Sequence, residues 1–333
     1  MTAAAPLASR APMGGRAVSR LCLGTMMFAD QTDEDAAGAI VDRFAAAGGN
    51  FIDTADAYGA GAAESMLGRL IAGRRDAFTI ASKLGNSMPG GGGLSGDWLN
   101  RALDASLARL GTDRIDLYYL HLDDEVTPLE ETIAAMGGAI ADGRVGAWGF
   151  SNHRAWKIAD MVRIADALGV PRPAAAQPYY HALYRLAEID YLPACAHFDI
   201  AVVPYSPLAR GVLTGKYRAG APDGSRAARG DTRLHQTEMR PEIIEAAARI
   251  EGHVAPSGRK LAHVALQWVL ANRSVTSALI GPKSLAQLDD YLAALGAPFG
   301  PEDEAFCESV VPTGGVVGLY SDPRYPFRGR ASA

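Results

Sequence analysis

Cysteine is scarce in this chain, and charge of either sign is not in decisive excess. Only Cys22, Cys195 and Cys307 occur among 333 residues. They are scattered and odd in number, which excludes a disulfide framework and fits a reducing compartment. No apolar run approaches the ~18 residues a bilayer demands, so a membrane-spanning chain is excluded. The acidic surplus is small, with 32 Lys+Arg against 37 Asp+Glu and a formal charge of −5. That balance argues against nucleic acid, whose phosphates call for a basic face. The first ten residues lack the ordered basic, apolar and cleavage segments of an export signal, so the expected location is the cytoplasm. At 48% hydrophobic and 21% charged, the composition is that of an ordinary globular protein rather than a disordered one.

What is present is a repeating alternation. Short apolar runs occupy residues 21–24, 50–53, 78–83, 115–121, 145–151, 174–177, 200–206 and 277–281. Being apolar on both parities and rich in Ile, Val, Phe and Tyr, they read as strands buried on both faces, hence parallel. Helical segments fill the gaps. Thr32 with Asp35 resembles a capping box before Ala37, Val41 and Phe44; Leu99, Leu103, Leu107 and Leu110 form a stripe ended by Gly111; and Thr127-Pro128-Leu129-Glu130 supplies a cap, a first-turn proline and a box glutamate. Eight such strands can close as a barrel or open as a doubly wound sheet, and the count with its even period favours a single-domain α/β fold, the (β/α)8 TIM barrel. We expect the barrel over residues 16–310, an N-terminal extension over 1–15 and a C-terminal tail over 311–333, the extensions covering the barrel ends. One step is anomalous. After Ser206 about 44 residues exceed a βα unit, helical over 242–250 but rich in glycine and charge over 209–240, as a functional or disordered loop would be.

Barrel enzymes carry their chemistry at the C-terminal ends of strands. Asp53, Lys83 and His121 end the second, third and fourth runs, and Tyr58 follows Asp53 by five residues. Each alone has a bland reading as a cap, a solvated end or a packed aromatic, but the four converge on adjacent strands. The set suits proton donation to a carbonyl. A phenol is a poor acid near neutrality, and a nearby ammonium lowers its pKa. Asp53 would keep a buried Lys83 charged, and His121 would orient a carbonyl oxygen.

The stretch Asp53-Thr54-Ala55-Asp56-Ala57-Tyr58-Gly59, with Lys83 and His121, resembles the Asp/Tyr/Lys/His tetrad of the aldo-keto reductases. The resemblance continues through Gly24-Thr25-Met26, Ser151-Asn152-His153, Gln177-Pro178, the run from Tyr205 to Lys216, and the segment from Gly281 to Leu292. It implies a barrel that binds NADP(H) without a Rossmann domain and reduces aldehydes or ketones. In its terms Tyr58 is the general acid, Lys83 its modulator, Asp53 the partner of Lys83, and His121 the substrate-orienting donor. Gly24, Thr25 and Met26 would join Asp53 beside the cofactor, while Ser151, Asn152 and Gln177 would hold the carboxamide and Tyr205 would stack beneath the nicotinamide. Ser206, Pro207, Leu208, Arg210, Gly211, Leu213 and Lys216 would wrap the diphosphate in a loop covering the cofactor. Seven basic residues against three acidic ones between 210 and 240 suit that anion. Gly281, Lys283, Ser284 and Gln287 would take the adenosine end, with Lys283 and Ser284 at the 2′-phosphate. Ser284 to Gln287 is also a capping box. Tyr291 stands where the family often has an asparagine for adenine, so NADP over NAD is a preference only.

Several motifs are decoys. Gly91 to Gly96 satisfies G-x-G-x-x-G but lies eight residues past Lys83, which reads as a loop tip. Gly211 to Lys216 is one residue short of a phosphate loop and is followed by Tyr217. Asp53, Asp56, His121, Asp123 and Asp124 contain no His-x-His or His-Glu-x-x-His pattern, so no metal is expected. Two other activities fit the residues: a Schiff-base lyase or aldolase on Lys83, and a cofactor-binding redox-sensor subunit. The partner is expected to be a small carbonyl or alcohol. Loops at 26–30, 85–96 and 122–125 and the tail would select it, with Met27, Phe28, Trp98 and Tyr320 as an apolar wall. Oligomeric state is not readable.

Overall fold

The computed structural model describes Leu7 and residues 10–317; Tyr320 lies outside them. Ten strands and eleven helices are named in chain order. A hairpin, β1 (Arg10–Met13) and β2 (Arg16–Ser19), precedes eight strands in one row: β3 (Leu21–Gly24), β4 (Phe51–Asp53), β5 (Thr79–Leu84), β6 (Ile115–Leu120), β7 (Val145–Ser151), β8 (Ala175–Gln177), β9 (Ala201–Val202) and β10 (Ala278–Ile280). Every pairing in the row is parallel, in the order β10-β3-β4-β5-β6-β7-β8-β9. The row closes on itself: Val202 bridges Val275, and the Leu279 N–H donates to the Pro204 carbonyl at 3.0 Å. This is the (β/α)8 barrel, and all eight expected strands are found, the seventh shortened to two residues.

The helices are α1 (Glu34–Ala46), α2 (Ala62–Leu70), α3 (Gly96–Leu110), α4 (Leu129–Ala141), α5 (Ala155–Leu168), α6 (Tyr191–His197), α7 (Thr232–Thr237), α8 (Pro241–Val254), α9 (Leu261–Ala271), α10 (Leu285–Ala294) and α11 (Pro301–Val310). Two caps differ from expectation. Asp33, not Thr32, caps α1, its carboxylate accepting from the Ala36 N–H at 2.9 Å. The Thr32 hydroxyl is spent on the Lys283 carbonyl. At α4 the cap position falls on Pro128, because Thr127 is tied by its N–H and hydroxyl to Asp124. The leucine stripe of α3 is buried as expected, and Gly111 ends the helix in the left-handed region at φ 63°. Ser95 caps α3, so the glycine-rich segment is a loop leading into a helix and not a dinucleotide turn.

By chain contacts the molecule divides into two compact units, one of residues 1–179, 190–205 and 270–296, the other of residues 180–189, 206–269 and 297–333. The first holds all eight barrel strands. Its interior is filled by Cys22, Phe51, Ala81, Leu117, Tyr119, Ala175 and Val203, with Met13 and Val18 of the hairpin inserted among them. The β1–β2 hairpin thus contributes Met13 and Val18 to the barrel core. Asp116 fastens this end, its buried carboxylate receiving Arg16, Arg75, Arg114 and the Ile80 N–H. At Gly149 of β7 a Cβ would stand 2.3 Å from the Ala175 carbonyl and 2.8 Å from the Tyr119 ring, so only glycine lets β7 and β8 approach there.

The second unit contains most of the long excursion. It is not structureless: a 3₁₀ segment over Ala209–Thr214 is followed by α7 and α8. Arg185 organises the unit's other segments, pairing with Glu188 and Glu308 and donating to the Val311 carbonyl at 2.8 Å.

Candidate active site

Parallel pairing sets the strand ends level. Gly24 pairs with Asp53, Asp53 with Ala81, Lys83 with Tyr119, and Ser151 with Gln177. The C-terminal edge of the barrel therefore carries Asp53, Lys83, His121, Ser151 and Gln177 as neighbours. Asp53 and Lys83 are fully buried and form an ion pair. The second Asp53 carboxylate oxygen accepts from Gln177 Nε2 at 2.8 Å. Lys83 Nζ also donates to the Thr54 carbonyl at 2.8 Å and to the Tyr58 hydroxyl at 3.1 Å. Tyr58 begins a 3₁₀ turn after β4, and its ring meets His121 edge-on at 6.0 Å. The four residues singled out in the sequence are thus brought together, three of them by direct contact.

The electrostatics follow from burial and pairing. Burial opposes a charge on Lys83, yet Asp53 and then Tyr58 hold its pKa above the ordinary lysine value. The amine is kept as an ammonium. Burial raises the pKa of Asp53 as well, against the pull of Lys83 and Gln177. For Tyr58 the expectation of an acidified phenol is corrected. Burial raises its pKa above 10, Lys83 lowers it, and Asp53 adds to the rise. The ammonium does act in the expected direction, but desolvation of the phenolate outweighs it.

Asn152 and Tyr205 lock the neighbouring edge. The Tyr205 hydroxyl donates to Asn152 Oδ1 at 2.8 Å, while Asn152 Nδ2 donates to the His121 carbonyl at 2.9 Å and to Ser151 Oγ at 3.0 Å. Ser151 Oγ donates to the Gln177 carbonyl at 2.7 Å. Ser151, Asn152, Gln177 and Tyr205 are therefore one connected group, with the Tyr205 ring 5.3 Å from that of Tyr179. Thr25 donates to the Asp53 carbonyl through its N–H and its hydroxyl, at 2.9 and 3.1 Å, and Met26 beside it is exposed. Before α10, Ser284 Oγ accepts from the Gln287 N–H, and Gln287 Oε1 accepts from the Lys283 N–H at 2.9 Å. Ser284 caps α10 as expected, but Gln287 reaches past the cap to the Lys283 N–H, so only half of the expected capping box forms; Gly281 is exposed just ahead of it. Of the apolar wall, Phe28 is fully buried and Met27 and Trp98 nearly so, which is ordinary packing.

In the second unit Ser206, Ala209 and Arg210 adopt φ of 59°, 47° and 50°, and Gly211 follows at 100°. Such a run of left-handed residues is costly and persists where its surroundings demand it. The Gly211 N–H returns to the Leu208 carbonyl at 2.8 Å, as does that of Leu213 at 3.2 Å, making a tight bend after Pro207. Arg210 pairs with the buried Glu238 at 3.2 Å. Lys216 Nζ comes within 2.8 Å of where a Cβ on Gly211 would stand, so the ammonium is drawn onto the bend.

Three features escaped the sequence reading. Asn86, three residues past Lys83, places Nδ2 2.7 Å from His121 Nδ1. Asp56 is buried, its N–H donating to the Lys83 carbonyl at 3.2 Å, and neither carboxylate oxygen bonds another side chain. Burial and then Glu64 push its pKa up to about 7. Glu64 in turn is held by Ser82 and by Arg109 at 2.7 Å. The signal for Asp56 lay within the motif itself, where an acid on a buried segment has no partner in sequence. Of the other acids of the metal decoy, Asp53 pairs with Lys83, Asp123 with Lys157, and Asp124 with Thr127 and the Leu94 N–H.

The sequence model of the aldo/keto reductase family matches residues 20–311. Among similar proteins, an uncharacterized oxidoreductase, YrpG, of Bacillus subtilis is 36% identical, over 84% of this chain and 88% of that protein. A probable voltage-gated potassium channel subunit beta of Arabidopsis thaliana is 33% identical over 84% and 88%. Aflatoxin B1 aldehyde reductase member 2 of Mus musculus is 30% identical over 91% and 88%.

Proposed function

The chain belongs to the aldo/keto reductase family, NAD(P)-dependent oxidoreductases acting on carbonyl groups, and on that premise we propose that it is an NADPH-dependent reductase of small aldehydes or ketones, reversible toward the alcohol. The observation that carries this reading is the Asp53–Lys83–Tyr58 chain, in which a permanently charged amine touches the phenol oxygen. A phenol that gives up its proton to a developing alkoxide becomes a phenolate beside an ammonium, so Lys83 stabilises the state reached after transfer. Asp53 keeps Lys83 charged and immobile. His121, with its backbone held by Asn152, offers a ring nitrogen to the carbonyl oxygen.

The donor set fits a nicotinamide dinucleotide. Ser151, Asn152 and Gln177 present hydroxyl and amide groups suited to a carboxamide, with Asp53, Gly24, Thr25 and Met26 beside them and Tyr205 as the stacking face. Gly281, Lys283, Ser284 and Gln287 would take the adenosine end, Lys283 supplying the charge for a 2′-phosphate. In the second unit Ser206, Pro207, Leu208, Arg210, Gly211, Leu213 and Lys216 offer a bent backbone and two cations to a diphosphate. The cofactor, when bound, supplies the hydride that the protein's own side chains cannot.

Lys83 as a Schiff-base nucleophile is disfavoured, since an amine whose pKa is raised by Asp53 is protonated and not nucleophilic. A sensor role, suggested by the name of the Arabidopsis relative, predicts tightly held cofactor and a single slow turnover. Titration with NADPH and NADH by fluorescence, followed by a screen of aldehydes, ketones and sugars for repeated cofactor oxidation, separates the readings. Saturable NADPH binding with multiple turnovers is expected; absence of binding by either cofactor overturns the assignment.

A further inference from the structure

We propose that Asn86 is a positioning residue that fixes the tautomer of His121, so that the imidazole carries its proton on Nε2 and serves as a hydrogen-bond donor. The backbone of His121 is clamped from both sides. Its N–H donates to the Leu84 carbonyl at 2.8 Å, and its carbonyl accepts from Asn152 Nδ2 at 2.9 Å. That amide is itself oriented, because its oxygen receives the Tyr205 hydroxyl. The remaining freedom lies in the ring. Asn86 reaches the ring from the end of β5, one residue beyond Gly85, whose φ of 120° turns the chain toward β6.

An amide nitrogen can only donate. With the amide turned so that Nδ2 faces the ring at 2.7 Å, Nδ1 is the acceptor, and a neutral imidazole that accepts at Nδ1 holds its proton at Nε2. This is the same logic by which the partner of one ring nitrogen sets the state of the other in metal sites and catalytic triads. The inference rests on the reductase reading for its purpose: a carbonyl oxygen gathering negative charge needs N–H groups aimed at it, and a ring with a lone pair at Nε2 would repel it. Asn86 thereby turns an ambivalent side chain into a donor without touching substrate.

The tautomer is measurable without turnover. In uniformly ¹⁵N-histidine-labelled full-length protein, the ring signals of His121, assigned by their loss in His121→Gln, are expected to show the Nε2–H form. Asn86→Asp keeps the shape but can only accept, so the His121 signals should switch to a ring protonated at Nδ1. Asn86→Leu should leave a mixture of tautomers and reduce kcat/KM for a carbonyl about tenfold, with dissociation constants for NADPH unchanged. An Nδ1–H ring in the unaltered protein overturns the proposal, and so does an unchanged Nε2–H spectrum in both variants. If no carbonyl is turned over, the reductase reading fails while the spectra still decide the role of Asn86.

Discussion

Lys83 Nζ donates to the Tyr58 hydroxyl across 3.1 Å while its other contacts, Asp53 and the Thr54 carbonyl, hold it from behind. The phenol is thus the one member of the chain that can pass a proton outward. Tyr58→Phe removes the proton and nothing else of consequence to packing, because the ring is retained. Reduction should fall by roughly 10²- to 10⁴-fold, the usual worth of a general acid, with NADPH binding nearly intact. Steady-state rates with a fluorescence titration check it; a fully active variant sinks the proton-donor assignment.

Because burial holds the Tyr58 pKa above 10, the phenol stays protonated through the neutral range. Reduction should show no alkaline loss from this group below about pH 10. Oxidation of an alcohol needs the phenolate as acceptor and should climb with pH over the same interval. Rate profiles in both directions from pH 6 to pH 10 test this, and a reductive rate that halves near pH 8 through loss of the Tyr58 proton contradicts it.

Removing Lys83 leaves Asp53 buried with Gln177 as its one side-chain donor. Lys83→Met should cost about 3–5 kcal/mol near pH 8, the usual penalty for a stranded buried charge. The sign of the pH dependence follows from burial. Asp53 without its ammonium has a folded pKa raised above the unfolded value, so the native state keeps a proton that the unfolded state loses, and stability falls as pH rises. Denaturant unfolding at pH 5 and pH 8 should show the larger loss at pH 8. Equal losses at both would mean that Asp53 ionises freely without Lys83.

Asp56 offers a cleaner titration. Its pKa is raised from 3.8 to about 7 by burial and by Glu64, with Arg109 and Lys83 pulling the other way. Tyr118 is the further ionisable group coupled to it. A raised carboxyl favours the protonated fold, so stability declines as pH climbs from 3.8 toward 7 and stays lower above it. Asp56→Asn abolishes this titration. The variant should gain little at pH 4 and on the order of 4 kcal/mol at pH 8, by conversion of the shift. Thermal melts across that range test it, and a variant less stable than the parent at pH 8 would show that the ionised carboxylate is wanted.

Much of this was legible in the sequence because a barrel advertises itself. Its strands are mostly buried on both faces, and five of the eight runs end in a polar residue at the C-terminal edge, so Asp53, Lys83, His121, Ser151 and Gln177 could be found by reading run ends. What the sequence hid depends on distances between loops. Nothing in the order of residues says that Asn86 turns back to His121, since glycine leaves its direction open. Likewise Thr32 and Asp33 are both good caps, and the choice between them was made by the Lys283 carbonyl on a remote segment. The sign of the Tyr58 shift was missed for a related reason: spacing reveals the nearby ammonium but not the depth of burial that opposes it.

The two strands that carry Ser151 and Gln177 are held at their spacing by one missing methyl group. At Gly149, directly paired with Ala175, a Cβ would lie 2.3 Å from the Ala175 carbonyl, a backbone atom that cannot move without moving β8. Gly149→Ala should therefore cost about 3 kcal/mol or more, at or above the upper end for overpacking, and weaken NADPH binding, because Ser151 and Gln177 lie two residues beyond the strained pair. Gly138, in the middle of α4 with nothing within 4 Å of its added Cβ, is the matching control. There the same substitution only removes backbone freedom and should stabilise by about 0.5–1 kcal/mol. Urea unfolding of both variants, with cofactor titration of the folded fraction, separates the two cases. A Gly149→Ala variant as stable as the Gly138→Ala variant would show that β7 and β8 can part without loss, and that the spacing of Ser151 and Gln177 is set elsewhere.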